Sequence, residues 1–148
     1  MDMIGRGIIA GFLATLALSG VFHPMVTLAR LADVLPPTFW WTLHFLVGSL
    51  IWGVGFGLTE RFMRGPTWLR GLLFGFASWV MVMVTVMPLT RGGFFGLALG
   101  LATPAVMLAA HLIYGALLGG IFGFLDPDRP HHDTADHASD DHLHPQPR

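Results

Sequence analysis

Cysteine and lysine are both absent from the 148 residues. Without cysteine there is no disulfide framework, no thiolate nucleophile and no thiolate metal site. Without lysine there is no phosphate-cradling loop of the kind that ends in one. The remaining basic residues, all arginine, form no patch able to neutralise nucleic-acid phosphates, so no nucleic acid is expected as a partner. Charge of either sign is scarce. Charged residues make up 11% of the chain, about half the share of a soluble domain. No Asp or Glu lies inside any long apolar run, which excludes a Ser-His-Asp triad there. It also leaves only histidine for an intramembrane proton relay, which argues against a proton-coupled transporter.

The charges present are clustered. None lies between Gly7 and Arg30, between Asp33 and Glu60, between Arg70 and Arg91, or from Gly92 to Leu125. A helix of about 20 apolar residues crosses a hydrocarbon core of ~30 Å. Four spans are therefore expected, at about 7–29, 39–59, 69–89 and 105–125. Each should be helical, because in lipid every backbone polar group must be bonded within its own segment. These runs do not alternate as the strands of a β-barrel would. Span one has a passable signal-peptide pattern, with Arg6 ahead of an apolar run and Ala17-Leu18-Ser19 before Gly20. The pattern recurs internally, which argues that span one is retained. From Asp126 onward six Asp and five His replace the apolar residues. Residues 126–148 are expected to form a disordered tail, because they cannot bury enough surface to fold. The tail histidines, His131, His132, His137, His142 and His144, are either a solvated segment or a loose metal-binding tract.

The spans read as two copies of one helix pair. Gly7-Ile8-Ile9-Ala10-Gly11-Phe12 aligns with Gly71-Leu72-Leu73-Phe74-Gly75-Phe76 at an offset of 64, which also brings Pro24 onto Pro88. Spans two and four align at an offset of 67, matching His44 with His111, Gly48 with Gly115 and Gly53 with Gly120. Each copy holds two spans, so the expected fold is all-α, with parallel 2+2 repeats about an axis along the membrane normal. Arg6, Arg61, Arg64, Arg70 and Arg129 fall on one side and only Arg30 and Arg91 on the other, which places both termini in the cytoplasm. Composition suggests a GC-rich bacterial source, hence the inner membrane, with the lipid bilayer as the first partner.

Small residues recur at every fourth position: Gly7, Gly11, Thr15 and Ser19; Ser49, Gly53 and Gly57; Gly115, Gly119 and Gly123. This spacing lets helix backbones approach closely. A second reading is that glycines clear room for a flat ligand. Pro24 and Pro88 each mark either a kink or a site lined by freed carbonyls. His23, His44 and His111 all fall in the outer half of the bilayer by this topology. Histidines at such depth are either interhelical hydrogen-bonding groups or functional ligands. Paired His44 and His111 could hold haem through both axial positions, with Gly48 and Gly115 leaving room for the ring. With His23 or nearby methionines they could instead hold copper or zinc.

The stretch Trp41-Thr42-Leu43-His44-Phe45-Leu46-Val47-Gly48 followed by Trp52-Gly53, together with Trp68 to Gly75, Gly92 to Leu101 and His111 through Gly119, resembles a family of small bacterial four-helix membrane proteins known only as a domain of unknown function. The likeness covers about residues 3–125. It implies a four-helix inner-membrane fold and no chemistry. His23 is not part of the resembling pattern, which leaves the pair His44 and His111. The primary expectation is a non-enzymatic membrane bundle, able to form a homodimer or to bind a membrane-protein partner through its glycine faces. Two alternatives stand beside it. One is a haem- or metal-binding protein; the other is a small transporter or channel with an outer-facing cavity.

Overall fold

The computed structural model describes residues 2–28, 36–90 and 92–126. All described elements are helical. Helix α1 spans Met3–Leu28. Helix α2, Pro37–Leu46, runs through a π-helical segment, Val47–Gly53, into α3, Val54–Thr59, and a closing 3₁₀ turn, Glu60–Phe62. Helix α4, Thr67–Met81, continues through a second π segment, Val82–Val86, into a 3₁₀ turn at Met87–Leu89. A 3₁₀ stretch, Phe94–Leu99, leads to α5, Ala102–Phe124. These make four rods, and each contains a stretch long and apolar enough to cross a membrane: Met3–Gly20, Thr38–Phe62, Thr67–Leu89 and Ala102–Phe124. They are called spans one to four below. The expected tail lies outside the described residues, apart from Asp126.

Proline sets several boundaries. Pro36 and Pro66 take extended backbone at the N-caps of α2 and α4. Pro37 fills the first helical position of α2, where no N–H is needed. Pro88 lacks the N–H that would continue span three, and the chain leaves the helix at Thr90. The link to span four turns through Gly93, Gly96 and Gly100, all at positive φ. Phe95 joins them at φ 57°, a conformation that costs a non-glycine residue about 1–2 kcal/mol. Its ring is held edge-on to Trp79, 5.7 Å between centroids, and Trp79 Nε1 donates to the Pro104 carbonyl at 3.2 Å.

Three kinds of seam join the rods. Span one meets span two through glycine: a Cβ on Gly7 would strike the Gly53 carbonyl, and one on Gly11 would lie 2.9 Å from Gly53 Cα. Span three meets span four the same way, with Gly71 against Gly115 and Gly119, and Gly75 against the His111 carbonyl. Spans one and four meet through alanine, Ala10 and Ala14 being wholly buried in one cluster with Tyr114, Leu118 and Phe122. Spans two and three meet through rings, Phe74 lying edge-on to Trp52 at 6.0 Å and to Phe56 at 5.5 Å. Phe56 then meets Phe122 across the diagonal at 5.2 Å.

The outward surface is apolar. Leu16, Ile51, Leu73 and Ile113, one from each span, are each at least half exposed. Water would penalise such a surface, whereas lipid solvates it.

The glycine seams predict a sharp contrast. Gly71→Ala should destabilise the purified protein by about 1–3 kcal/mol through overpacking. Gly120→Ala, inside α5 where a Cβ meets nothing within 4 Å, should leave the thermal midpoint unchanged or raise it slightly. Thermal unfolding in detergent reads both.

Candidate functional site

Two polar clusters stand out, one near the middle of the bundle and one at the end that bears Arg6. The first is centred on Thr15, which is 1% exposed. It lies about 18 Å along the helix axis from Met3, at 1.5 Å per residue, and so near mid-membrane depth. Its hydroxyl donates to the Gly11 carbonyl at 2.7 Å. The Tyr114 hydroxyl also reaches the Thr15 side chain and donates across the bundle diagonal to the Gly48 carbonyl at 2.6 Å. Gly48 stands in the π segment of span two, where the ordinary helical ladder is interrupted and a carbonyl is open to another donor. Three spans therefore converge on one hydroxyl cluster.

His44 lies one turn from Gly48 on the same face, towards the end of the bundle opposite Arg6. Its ring reaches the backbone of Thr15 and sits edge-on to Trp41 and Phe45, with centroids 6.0 and 5.5 Å away. His111 is one turn from Tyr114, again towards the end opposite Arg6. Its Nδ1 lies 2.8 Å from the Met107 carbonyl within its own helix. Nδ1 must carry the proton to make that bond, which leaves the lone pair of the neutral ring on Nε2. Both histidines thus lie in the layer next to the Tyr114–Gly48 bond, on its side away from Arg6.

The glycines proposed to clear room for a ring are filled. A Cβ on Gly48 would strike Thr15 Oγ1, and one on Gly115 would strike the Gly71 carbonyl. Both are used for helix contact. Among the described residues no group of three or more His, Asp or Glu stands close enough to hold a metal ion. The side chain of His23, together with Arg30, Arg91 and the tail histidines, falls outside the described residues.

The second cluster was not expected. Arg6 Nη1 lies 2.7 Å from Asp126 Oδ1, an approach of opposite charges without hydrogen-bond alignment. The Arg6 guanidinium also covers the Phe122 ring at 4.6 Å. Arg70 Nη1 donates to Glu60 Oε2 at 2.6 Å, and its Nε donates to the Gly65 carbonyl at 2.7 Å. A cavity of about 280 Å³ opens among Glu60, Thr67, Arg70, Phe122 and Asp126. Its residues come from the ends of spans two, three and four, far apart in sequence, so no local motif announces it. Tyr114 did carry a signal: it is the chain's single tyrosine and sits in a charge-free run three residues after His111.

A family model described as a family of unknown function, DUF6789, matches residues 1–133. The chain belongs to the DUF6789 family. No curated protein and no solved structure matches it. Membership agrees with the likeness to an uncharacterised family and brings no activity with it.

The diagonal bond gives a prediction. Tyr114→Phe leaves the Gly48 carbonyl without its cross-bundle donor. It should cost about 1–3 kcal/mol of stability in detergent, read as a lower thermal midpoint, with the helical circular dichroism at 20 °C (about room temperature) preserved.

Proposed function

We propose that this DUF6789 chain is a non-catalytic, multi-pass protein of the bacterial inner membrane with both termini in the cytoplasm. Its role would be that of a helical scaffold, joining a second copy or a membrane-protein partner through its lipid-facing sides. The observation that carries this reading is the use of the central polar groups. Thr15 and Ser78 donate to carbonyls of their own helices, His111 bonds Met107, and Tyr114 bonds Gly48. Of these, the Tyr114–Gly48 bond ties span four to span two, and the other three groups are satisfied within their own helices, so none of the four needs a ligand as its partner. The orientation rests on the arginine count, Arg6, Arg61, Arg64 and Arg70 all belonging to the end where the Arg6–Asp126 and Arg70–Glu60 pairs form.

We also propose that the bundle arose by duplication of a helix pair. Facing contacts support it. Gly7 and Gly11 play the parts of Gly71 and Gly75, 64 positions on; Gly53 and Gly57 play those of Gly115 and Gly119, 62 positions on. The register of 67 that pairs His44 with His111 is not the one these contacts follow. Gly11 meets the Gly48 carbonyl where Gly75 meets that of His111, so His111 corresponds in place to Gly48. From Gly48 to Gly53 is one residue more than from His111 to Gly115, which is the one extra residue that a π turn inserts.

A second reading keeps one specific support. The Nδ1 bond of His111 leaves Nε2 with the geometry and lone pair of a metal ligand. Haem, copper or zinc bound through His44 and His111 is the form it takes, with His23 as the further ligand first considered.

Absorption spectroscopy and metal analysis of the full-length protein, purified from cells supplied with iron, copper and zinc, separate the two readings. The scaffold predicts no Soret band and metal far below one equivalent. One equivalent of haem or metal, lost in His111→Ala, would establish the second reading instead. Because the chain has no cysteine, sidedness is read directly by single substitutions. A membrane-impermeant maleimide applied to intact spheroplasts should label Phe94→Cys and leave Arg61→Cys unlabelled until the membrane is opened.

A further inference from the structure

Span two holds one residue more between its seam contacts than an α-helix would place there. Gly11 packs on the Gly48 carbonyl and on Gly53, five residues apart. Gly75 packs on the His111 carbonyl and on Gly115, four residues apart, in a helix that is α throughout. Counting back four residues from Gly53 reaches Ser49. An unbroken α-helix anchored at Gly53 would therefore set Ser49 where Gly48 now stands. The π segment Val47–Gly53 takes up the difference.

Each register leaves a different group unsatisfied. In the π register the Gly48 carbonyl accepts from the Tyr114 hydroxyl at 2.6 Å. The Ser49 hydroxyl, in a residue 7% exposed, is then buried without a partner among the described residues. A buried hydroxyl left unpaired is costly where water does not reach it. In the α register the helical ladder closes through Gly48, and Ser49 stands beside the hydroxyls of Thr15 and Tyr114, which can bond it. The cost there is steric. A Cβ at that place strikes Thr15 Oγ1 and lies 3.1 Å from Thr15 Cβ, so Thr15 must turn and the seam must ease by a few tenths of an ångström. The buried residues of the π segment are Gly48, Ser49 and Gly53, so no large side chain has to be lifted from the seam. Beyond them the outer half of span two begins after Pro36, with no side-chain cap to hold it.

We propose that span two is a two-register element, seated in the π register by Tyr114 and able to pass to an α register that seats Ser49. The passage turns the segment from Pro37 to Val47 by about 100° and moves it about 1.5 Å along its axis. Each residue takes the place of its predecessor. His44 then leaves the interior layer, where it reaches the Thr15 backbone, for the place of Leu43, which is exposed. The register thus decides whether an imidazole lies inside the bundle or on its lipid-facing surface. A ligand that engages His44 from outside selects the α register, because it gains nothing from the other. The two registers follow from helix geometry, whether the bundle serves as a scaffold or holds a metal.

The register is read in native membranes by oxidative cross-linking, which the absence of cysteine allows. Phe12 and Phe45 meet across the seam of spans one and two, 5.5 Å between ring centroids. Leu46 takes the place of Phe45 in the α register. Phe12→Cys/Phe45→Cys therefore reports the π register, and Phe12→Cys/Leu46→Cys reports the α register. In the otherwise unchanged chain the Phe45 pair should link fast and the Leu46 pair slowly. Tyr114→Phe should speed the Leu46 pair about tenfold relative to the Phe45 pair, as for one lost hydrogen bond. Ser49→Ala removes the hydroxyl that only the α register satisfies. It should slow the Leu46 pair by a similar factor, with or without Tyr114→Phe, while the thermal midpoint stays at or above the wild-type value. A ratio that Tyr114→Phe leaves unchanged, as general loosening of the bundle would give, overturns the proposal. So does a Leu46 pair that Ser49→Ala fails to slow, a result that stands even if Tyr114→Phe does not fold. The scaffold and metal readings are judged by bound metal and by maleimide labelling, so either result leaves them untouched.

Discussion

At Gly71 the backbone of span three lies against the backbone of span four so closely that a single methyl group would strike the Gly115 carbonyl. The same holds at Gly7 against Gly53. In a bilayer, apolar side chains gain nothing by leaving lipid for a neighbouring helix, so association depends on close contact and on polar ties. The two glycine seams supply the close contact. They also set the distance at which everything else operates. Thr15 covers Gly48, Thr67 covers Gly123, and the Tyr114 hydroxyl reaches the far side of the bundle only because the pairs are this compact.

The four seams are not alike, and their differences follow from residue size. Alanine brings spans one and four together, whereas Phe74, Trp52 and Phe56 hold spans two and three apart. A bundle made from two like pairs is thereby skewed, close along one side and filled by rings along the other. The π segments belong to the same picture. Each lies partway along a span, at Val47–Gly53 and at Val82–Val86, and each rotates the residues that follow it. In span two this rotation presents Gly48 to Thr15 and Tyr114 while keeping Gly53 on the seam with span one.

Much of this was legible in the residues. Charge-free runs gave four spans because lipid tolerates little else, and four-residue glycine spacing gave the seams because helix geometry puts such positions on one face. Under the proposed duplication, the register between spans two and four was not legible. Matching His44 to His111 satisfied the letters, but one inserted π residue shifts the later glycines, and nothing in composition marks a π turn. That Gly48 and Gly115 pack against Thr15 and Gly71 was not legible for a related reason, since a glycine ridge looks the same whether it clears a cavity or admits a neighbouring helix. The polar end cluster was hidden because Arg6, Glu60, Arg70 and Asp126 meet only after all four spans are assembled. Tyr114 was in plain view, yet a lone tyrosine in an apolar helix declares no partner until the opposite carbonyl is in place.

The central claim is that glycine contact fixes the pairing and register of the helices, and it can be tested by covalent capture. Thr15 Cβ lies 3.1 Å from the position a Cβ would take at Gly48. That is slightly under the ~3.5–4.5 Å of a disulfide and is relieved by a small shift. In this cysteine-free chain, Thr15→Cys/Gly48→Cys should oxidise rapidly within native membranes to an intramolecular disulfide. Thr15→Cys/Leu50→Cys, whose second site faces outward, should stay reduced. Cross-linking of the second pair in place of the first would contradict the register, and with it the account of how the bundle is held.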